Sequence, residues 1–186
     1  ENGRKGFYFS DNEQRGYMNR LDFRAEGATA NIEDHPQHID IIKVILPRPL
    51  APGGKVQLTT PFHVKLPHNF SRSGHAGRSY QVTQWYPKPA VYDPKGWHPM
   101  PYLDQGEFYS EFGDYDVRIT IPEKYVVAST GELQQEERVV PATKTLHYVQ
   151  TRVHDFAWFA SINFLVKQDT VHLPSGRIIK AFCYYT

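Results

Sequence analysis

Apolar and polar residues alternate along several short stretches of this chain. The clearest stretch is residues 55–65, in which every second position carries an apolar side chain or a threonine: Val56, Leu58, Thr60, Phe62 and Val64. A period of two is typical of a half-buried strand. Pro61 lies within this stretch and has no backbone N–H, so it predicts an edge position or a bulge.

Further strands are predicted at residues 39–46, 116–121 and 125–129, where β-branched or alternating runs stop at or next to proline or glycine, and at residues 145–151 and 162–167. Ser175 and Gly176 predict a hairpin turn between residues 170–173 and 177–185. A long helical period is absent from the sequence. We therefore predict an all-β fold, either a β-sandwich or a saddle-like, mostly antiparallel sheet, as one domain over residues 1–186.

Two stretches carry no regular pattern. Residues 86–102 contain five prolines and show no strand period. A long irregular loop of this kind is usually functional or faces a partner, although a rigid cover over a sheet edge is an equal alternative. Residues 153–160 also lack a clear period, and we predict a buried connection there.

Composition narrows the classes of function. The hydrophobic content of 40% is sufficient for a packed core, and 21 Lys and Arg balance 20 Asp and Glu. This balance argues against binding to nucleic acid or to a charged membrane surface. No run approaches the roughly 18 apolar residues of a membrane-spanning helix. Cys183 is the only cysteine and is predicted to be a buried small apolar residue.

Metal-binding motifs are absent. Nine histidines occur, but none forms the His-Glu-x-x-His pattern that places two imidazoles on one helix face. His35 and His38 have a spacing of three in a polar segment that contains proline, with no third ligand close in sequence. We therefore expect no metal or other cofactor in this chain.

Hydrolase motifs are also weak. The Gly-x-Ser-x-Gly elbow that exposes a nucleophilic serine does not occur. Four carboxylates lie within ten residues, and a glycosidase-like acid and base pair is conceivable among them: Glu107, Glu111, Asp114 and Asp116. Binding of backbone donors in loops is the favoured role. A self-contained hydrolase that uses Glu107, Glu111 and Asp116 stays a minor alternative.

A series of motifs resembles the N-terminal β-domain of the M1 zinc aminopeptidases, the gluzincin family. The central block runs through residues 84–93, 96–102 and 106–117, which are dense in aromatic residues and proline. Flanking matches lie at residues 46–53, 62–67, 125–131 and 154–158. Together these segments cover most of the chain.

The resemblance implies a non-catalytic domain that frames the substrate cleft of a zinc metallo-aminopeptidase. It also implies that the first strands of the domain and the downstream catalytic domain are missing from residues 1–186. The zinc ion and peptide hydrolysis would belong to that catalytic domain, which would be the partner of this chain. Its other partner would be the amino terminus of a peptide substrate.

The resemblance places one functional position. In M1 enzymes this domain contributes a glutamine, and two residues later a glutamate or glutamine, which bind the free α-amino group of the substrate. Gln84 matches the first position, while Tyr86 stands at the second. On a strand, residues i and i+2 point the same way. A phenol ring attracts a cation but supplies no negative charge, so we expect weaker selectivity for amino termini.

An alternative function is a carbohydrate- or protein-binding β-sandwich module. Exposed aromatic clusters mark interaction sites, and the candidates are Trp85, Trp97, Tyr86, Tyr92 and Tyr102. If the M1-type interpretation is right, the aromatic block instead packs against the catalytic domain. Residues 1–186 alone would then expose apolar surface around Trp85 and Trp97.

Overall fold

A computed structural model describes residues 8–103, 108–139 and 141–186. Their strands are numbered in chain order, and the chain divides into two units. The first unit comprises Glu1–Arg15, Leu66–Trp85 and Phe112–Thr186, and the second comprises Gly16–Lys65 and Tyr86–Glu111. The strands of the described residues pair antiparallel, and the predicted all-β fold with mostly antiparallel sheets is confirmed.

The second unit contains small sheets of two or three strands. Its strands are β1 (Tyr17–Asn19), β2 (Arg24–Ala25), β3 (Ala28–Thr29), β4 (Asn31–Asp34), β5 (Ile42–Ile45), β6 (Leu58–Thr59), β7 (His63–Lys65), β10 (Val91–Asp93) and β11 (Gly96–His98). The predicted strand at residues 55–65 is divided into β6 and β7, because Pro61 interrupts the backbone ladder.

The first unit contains the longer strands. They are β8 (Gly74–Ala76), β9 (Ser79–Val82), β12 (Gly113–Pro122), β13 (Val126–Ser129), β14 (Glu132–Val139), β15 (Thr143–Val153), β16 (Trp158–Ser161), β17 (Leu165–His172) and β18 (Ile178–Tyr185). They form three sheets with the strand orders β12-β15-β14, β13-β16-β9-β8 and β17-β18.

Strand β12 shows how the sequence pattern positions the core. Its side chains alternate between inward and exposed positions along Gly113–Pro122, so Ile119 is buried while the neighbouring Arg118 is exposed. The paired strand β15 places Leu146 opposite Ile119 and Tyr148 opposite Val117. Direct cross-strand pairs of this kind stabilise an antiparallel sheet on its buried face.

The core of the first unit is centred on Phe156, which is fully buried. Its ring lies 5.8 Å from the ring of Tyr115 and 6.5 Å from that of Tyr148, measured between centroids. Burial, followed by the nearby Tyr184 and Glu136, raises the pKa of Tyr148 to about 12, so this phenol stays neutral in the core.

A buried serine is satisfied by its neighbours. Ser161 is fully buried, and its Oγ lies 3.0 Å from Ser79 Oγ on the paired strand β9. The backbone N–H of Asn163 also donates to Ser161 Oγ. A buried hydroxyl with these partners avoids the cost of an unsatisfied polar group.

Four sequence predictions are corrected by the structure. Residues 86–102 do contain strands, since β10 and β11 form a hairpin within them. The stretch at residues 153–160 ends in strand β16, although Phe156 confirms its burial, and the strand predicted at residues 162–167 begins only at Leu165. Cys183 is exposed rather than buried, because both faces of the β17–β18 hairpin carry exposed side chains.

Candidate functional site

Gln84 lies just beyond the end of strand β9, which stops at Val82. Its backbone has a φ of 52°, in the left-handed region. Few residues other than glycine adopt this conformation, and it persists only where the surrounding structure holds it. The Trp85 indole supplies such an anchor, because its Nε1 donates a hydrogen bond of 2.9 Å to the backbone oxygen of Phe156. The Trp85 ring also packs against the buried core.

This geometry corrects one step of the sequence argument. The alternation of a strand was expected to point Gln84 and Tyr86 the same way, but neither residue lies in a strand. The positive φ at Gln84 breaks the pleat on which that argument depends. The binding role of the two residues stays a prediction.

The Gln84 side chain is half-buried. Its amide has no hydrogen bond to any residue that the structure describes. A primary amide offers one acceptor oxygen and two donor hydrogens. The carbonyl oxygen can therefore accept a hydrogen bond from a ligand ammonium without breaking a contact within the described residues.

Tyr86 is half-buried and has a cationic neighbour. Lys88 Nζ lies 5.8 Å from the centroid of the Tyr86 ring and 6.0 Å from that of Phe108. The ring of Tyr86 thus attracts a cation in the structure itself, as a ring quadrupole does. Lys88 was not among the site residues predicted from the sequence, although it lies only two residues after Tyr86.

The hairpin β10–β11 presents two aromatic side chains. Tyr92 and Trp97 are direct cross-strand partners, 65% and 66% exposed, with ring centroids 4.9 Å apart. Behind them, His98 Nε2 lies 2.8 Å from Asp93 Oδ1, and the Lys95 N–H donates to the same oxygen. These two contacts, His98 first, hold the pKa of the Asp93 carboxyl below its usual range. They fix the turn that carries Tyr92 and Trp97.

The predicted aromatic candidates therefore separate into two groups. Trp85 is half-buried against the core, whereas Trp97 is exposed. The expectation of exposed apolar surface thus holds for Trp97 and is wrong for Trp85. Tyr102 is 48% exposed, and its ring lies 5.7 Å from that of Phe108.

The carboxylates are bound by neighbouring groups of the first unit. Asp114 Oδ1 accepts a hydrogen bond of 2.9 Å from the backbone N–H of Arg152. Asp116 Oδ1 lies 2.8 Å from Arg118 Nη1 and 3.0 Å from His147 Nε2. Asp114 thus binds a backbone donor, as favoured from the sequence, whereas Asp116 binds side chains, and both residues lie in strand β12 rather than in a loop. Glu107 lies outside the described residues, and Glu111 is exposed.

The histidine pair predicted to be a loop feature has a local role. The His35 and His38 rings stack with centroids 4.9 Å apart, and His35 Nδ1 accepts backbone N–H groups of Gln37 and His38. Within residues 8–103, 108–139 and 141–186, no group of three or more His, Cys, Asp or Glu side chains is arranged to hold a metal ion.

One further feature concerns membranes. The part of the chain that the structure describes contains no helix with the length and apolarity needed to cross a bilayer.

Comparison with known proteins gives a structural likeness. No protein-family model matches this sequence, and no curated protein sequence matches it. Among solved structures, the chain is similar to a two-domain M1 zinc metallopeptidase mutant bound to L-arginine, with a TM-score of 0.54 and 17% identity. It is also similar to the L-tryptophan-bound form, with a TM-score of 0.55 and 17% identity.

A third similar structure is an M1 zinc metallopeptidase mutant from Deinococcus radiodurans bound to a Tyr-Ser-Ala substrate, with a TM-score of 0.55 and 16% identity. All three likenesses cover 90% of this chain but only 37 to 39% of the other chain. The present chain thus spans well under half the length of these neighbours. It shares the fold of part of the M1 zinc metallopeptidases.

Proposed function

We propose that this chain is an M1-related β-domain that forms one wall of a peptide-binding cleft. In this proposal the amide oxygen of Gln84 accepts a hydrogen bond from the free α-amino group of a peptide. Peptide hydrolysis and its zinc ion belong to a catalytic domain outside residues 1–186, which is the partner of this chain.

The observation that carries the proposal is the conformation of Gln84. A non-glycine residue at a φ of 52° costs free energy, and strain of this kind clusters at functional sites. The amide is held next to the anchored Trp85 and has no partner among the described residues. The backbone that carries the amide is therefore held in place, and the amide itself is available to a ligand.

The structural neighbours support the class of ligand. Their bound molecules are L-arginine, L-tryptophan and a Tyr-Ser-Ala peptide. All of these carry an α-ammonium group at neutral pH. The half-buried ring of Tyr86 is a separate candidate for contact with an ammonium group, although the nearby Lys88 ammonium opposes a second positive charge.

Substitution of Gln84 with glycine is expected to weaken binding of a free amino terminus about tenfold. A hydrogen bond to a charged group contributes about 1.5–3 kcal/mol, and 1.4 kcal/mol is tenfold in affinity. Glycine accepts a positive φ without strain, so Gln84→Gly removes the amide while keeping the backbone path. Titration of residues 1–186 with Tyr-Ser-Ala, followed by NMR shifts of the backbone amides near residue 84, measures the effect in both chains.

Two controls accompany this titration. N-acetylated Tyr-Ser-Ala lacks the α-ammonium and should bind as weakly to the natural chain as to the Gln84→Gly variant. Gln134→Ala removes an exposed amide from strand β14 and should leave the affinity unchanged. Equal shifts for the free and the acetylated peptide would refute the role of Gln84.

A second candidate function rests on the exposed aromatic pair of the β10–β11 hairpin. The flat, adjacent rings of Tyr92 and Trp97 can stack on the apolar face of a sugar ring, and a fixed turn lowers the ordering cost of binding. This candidate predicts quenching of tryptophan fluorescence by one member of a glycan panel.

Trp97→Ala should abolish that fluorescence response. Tyr17→Ala, which removes a 50% exposed ring on strand β1, should preserve it. No response to any glycan would leave the peptide-binding proposal as the single candidate of the two.

A further inference from the structure

The β17–β18 hairpin is an exposed two-stranded ribbon. In the part of the chain that the structure describes, this sheet has no third strand, and 15 of its 16 residues lie at exposed positions. An isolated two-stranded hairpin is only marginally stable in water. The ribbon is therefore a surface whose stability increases when another surface covers it.

One face of the ribbon, here called the outer face, has a distinctive composition. Cross-strand pairing places eight side chains on it: Leu165, Lys167, Asp169, Val171, Ile179, Ala181, Cys183 and Tyr185. The opposite face carries Tyr184, whose ring lies 6.0 Å from that of Phe164 and whose pKa is raised by burial. Tyr184 is thus partly covered within its own unit, while all eight side chains of the outer face lie at exposed positions.

Two exposed edge strands of the first unit, β14 and β18, differ in the number of charged residues. Strand β14 is also fully exposed, but four of its eight residues are charged: Glu132, Glu136, Glu137 and Arg138. Charges on an edge strand prevent unwanted pairing. Strand β18 has the sequence IIKAFCYY, in which Lys180 is the one charge. Strand β18 thus carries one charge where β14 carries four, so fewer charges oppose the approach of another apolar surface.

The charges of the outer face are arranged symmetrically. Lys167 and Asp169 lie at its centre, and neither forms an ion pair with any described residue. Consider a two-fold axis that lies between two stacked hairpins, runs perpendicular to their strands and passes between the levels of Lys167 and Asp169. This axis would bring two outer faces together with their strands antiparallel. Lys167 of each copy would then face Asp169 of the other, while Leu165 faces Val171 and Tyr185 faces Ile179.

We propose that the outer face of the β17–β18 hairpin binds the same face of a second copy of this chain as an isologous dimer. An isologous interface requires a self-complementary patch, and the Lys167 and Asp169 pair supplies it between apolar ends. This inference is independent of the peptide site proposed above.

The area of the outer face determines how tightly the proposed dimer is expected to associate. Two strands of eight residues present roughly 260 Å² per copy, from about 3.3 Å per residue and about 10 Å of width for two neighbouring strands. Stable interfaces bury about 800 Å² per partner, so this dimer should be weak and concentration-dependent. Sedimentation equilibrium of residues 1–186 between about 1 µM and 1 mM covers the relevant range of dissociation constants.

Charge reversal tests the proposed register. Lys167→Asp and Asp169→Lys each place like charges opposite one another twice per dimer, and each should weaken dimerisation about tenfold or more. The double variant Lys167→Asp/Asp169→Lys restores opposite pairs and should recover the dissociation constant of the natural chain. Gln168→Lys adds a charge to the opposite face of the same strand and should have no effect.

Each variant must be folded before its mass is interpreted. Far-ultraviolet circular dichroism and the melting temperature of each variant test this. A monomer at every concentration would overturn the proposal, as expected if another domain covers the hairpin instead. Dimerisation that the single charge reversals do not weaken, or that the double variant does not restore, would also overturn it.

Discussion

Replacement of Phe156 with alanine is expected to lower the free energy of unfolding by about 3–5 kcal/mol, the usual cost of truncating a buried phenylalanine. The ring is fully buried between Tyr115 and Tyr148 and forms the centre of the core in the first unit. Alanine keeps the backbone oxygen that accepts the Trp85 hydrogen bond. The loss therefore reports the ring alone.

Urea unfolding followed by circular dichroism measures this loss. Phe112→Ala is a suitable control, because that ring is 63% exposed in the same unit and its removal should cost less than about 1 kcal/mol. A Phe156→Ala variant as stable as the control would mean that the packing around residue 156 is looser than described.

Gly74→Ala should lower the free energy of unfolding by about 2–5 kcal/mol, from backbone strain and overpacking together. Gly74 has a φ of 144°, and an added Cβ would lie 2.8 Å from the backbone oxygens of both Pro67 and His68. These atoms belong to a backbone contact in which the His75 N–H donates to the Pro67 oxygen. Backbone atoms cannot rotate away as a side chain can.

Gly77 offers a matched control three residues away. Its φ is 58°, and an added Cβ would meet nothing within 4 Å. Gly77→Ala should therefore cost only the left-handed conformation, about 1–2 kcal/mol. Chemical unfolding of both variants measures their free energies of unfolding and so separates backbone strain from steric overlap. Equal losses of stability in the two variants would show that the backbone at residues 67–69 moves to accept the new methyl group.

Much of the β-structure could be predicted because the core lies on one face of the longer strands. The predicted strand at residues 116–121 falls within β12, where side chains alternate between buried and exposed positions. The interruption of a strand at Pro61 and the hairpin turn at Ser175-Gly176 were also predictable, because proline and glycine restrict or free the local backbone. The β10–β11 hairpin was missed, since strands of three residues between prolines contain too few positions to show a period.

The candidate site was less accessible to sequence reasoning. The resemblance identified Gln84 and Tyr86, but the sequence held no sign that strand β9 ends at Val82 or that Gln84 adopts a positive φ. The next residue, Trp85, is anchored by a hydrogen bond to Phe156, which is 71 residues away in the chain. A local pattern cannot report a contact of this separation.

Strand β16 has a consequence for how the first unit forms. It lies between β13 and β9 in its sheet. Its residue Ala160 pairs with Tyr80, which lies 80 residues earlier in the chain. Closing so long a loop is entropically unfavourable, and distant strand pairing is typical of slow-folding proteins. During synthesis, β9 can pair with β8 on one side, but its other edge and strand β13 stay unpaired until residues 158–161 emerge from the ribosome. The nascent chain therefore passes through a stage with open strand edges, at which other chains can pair.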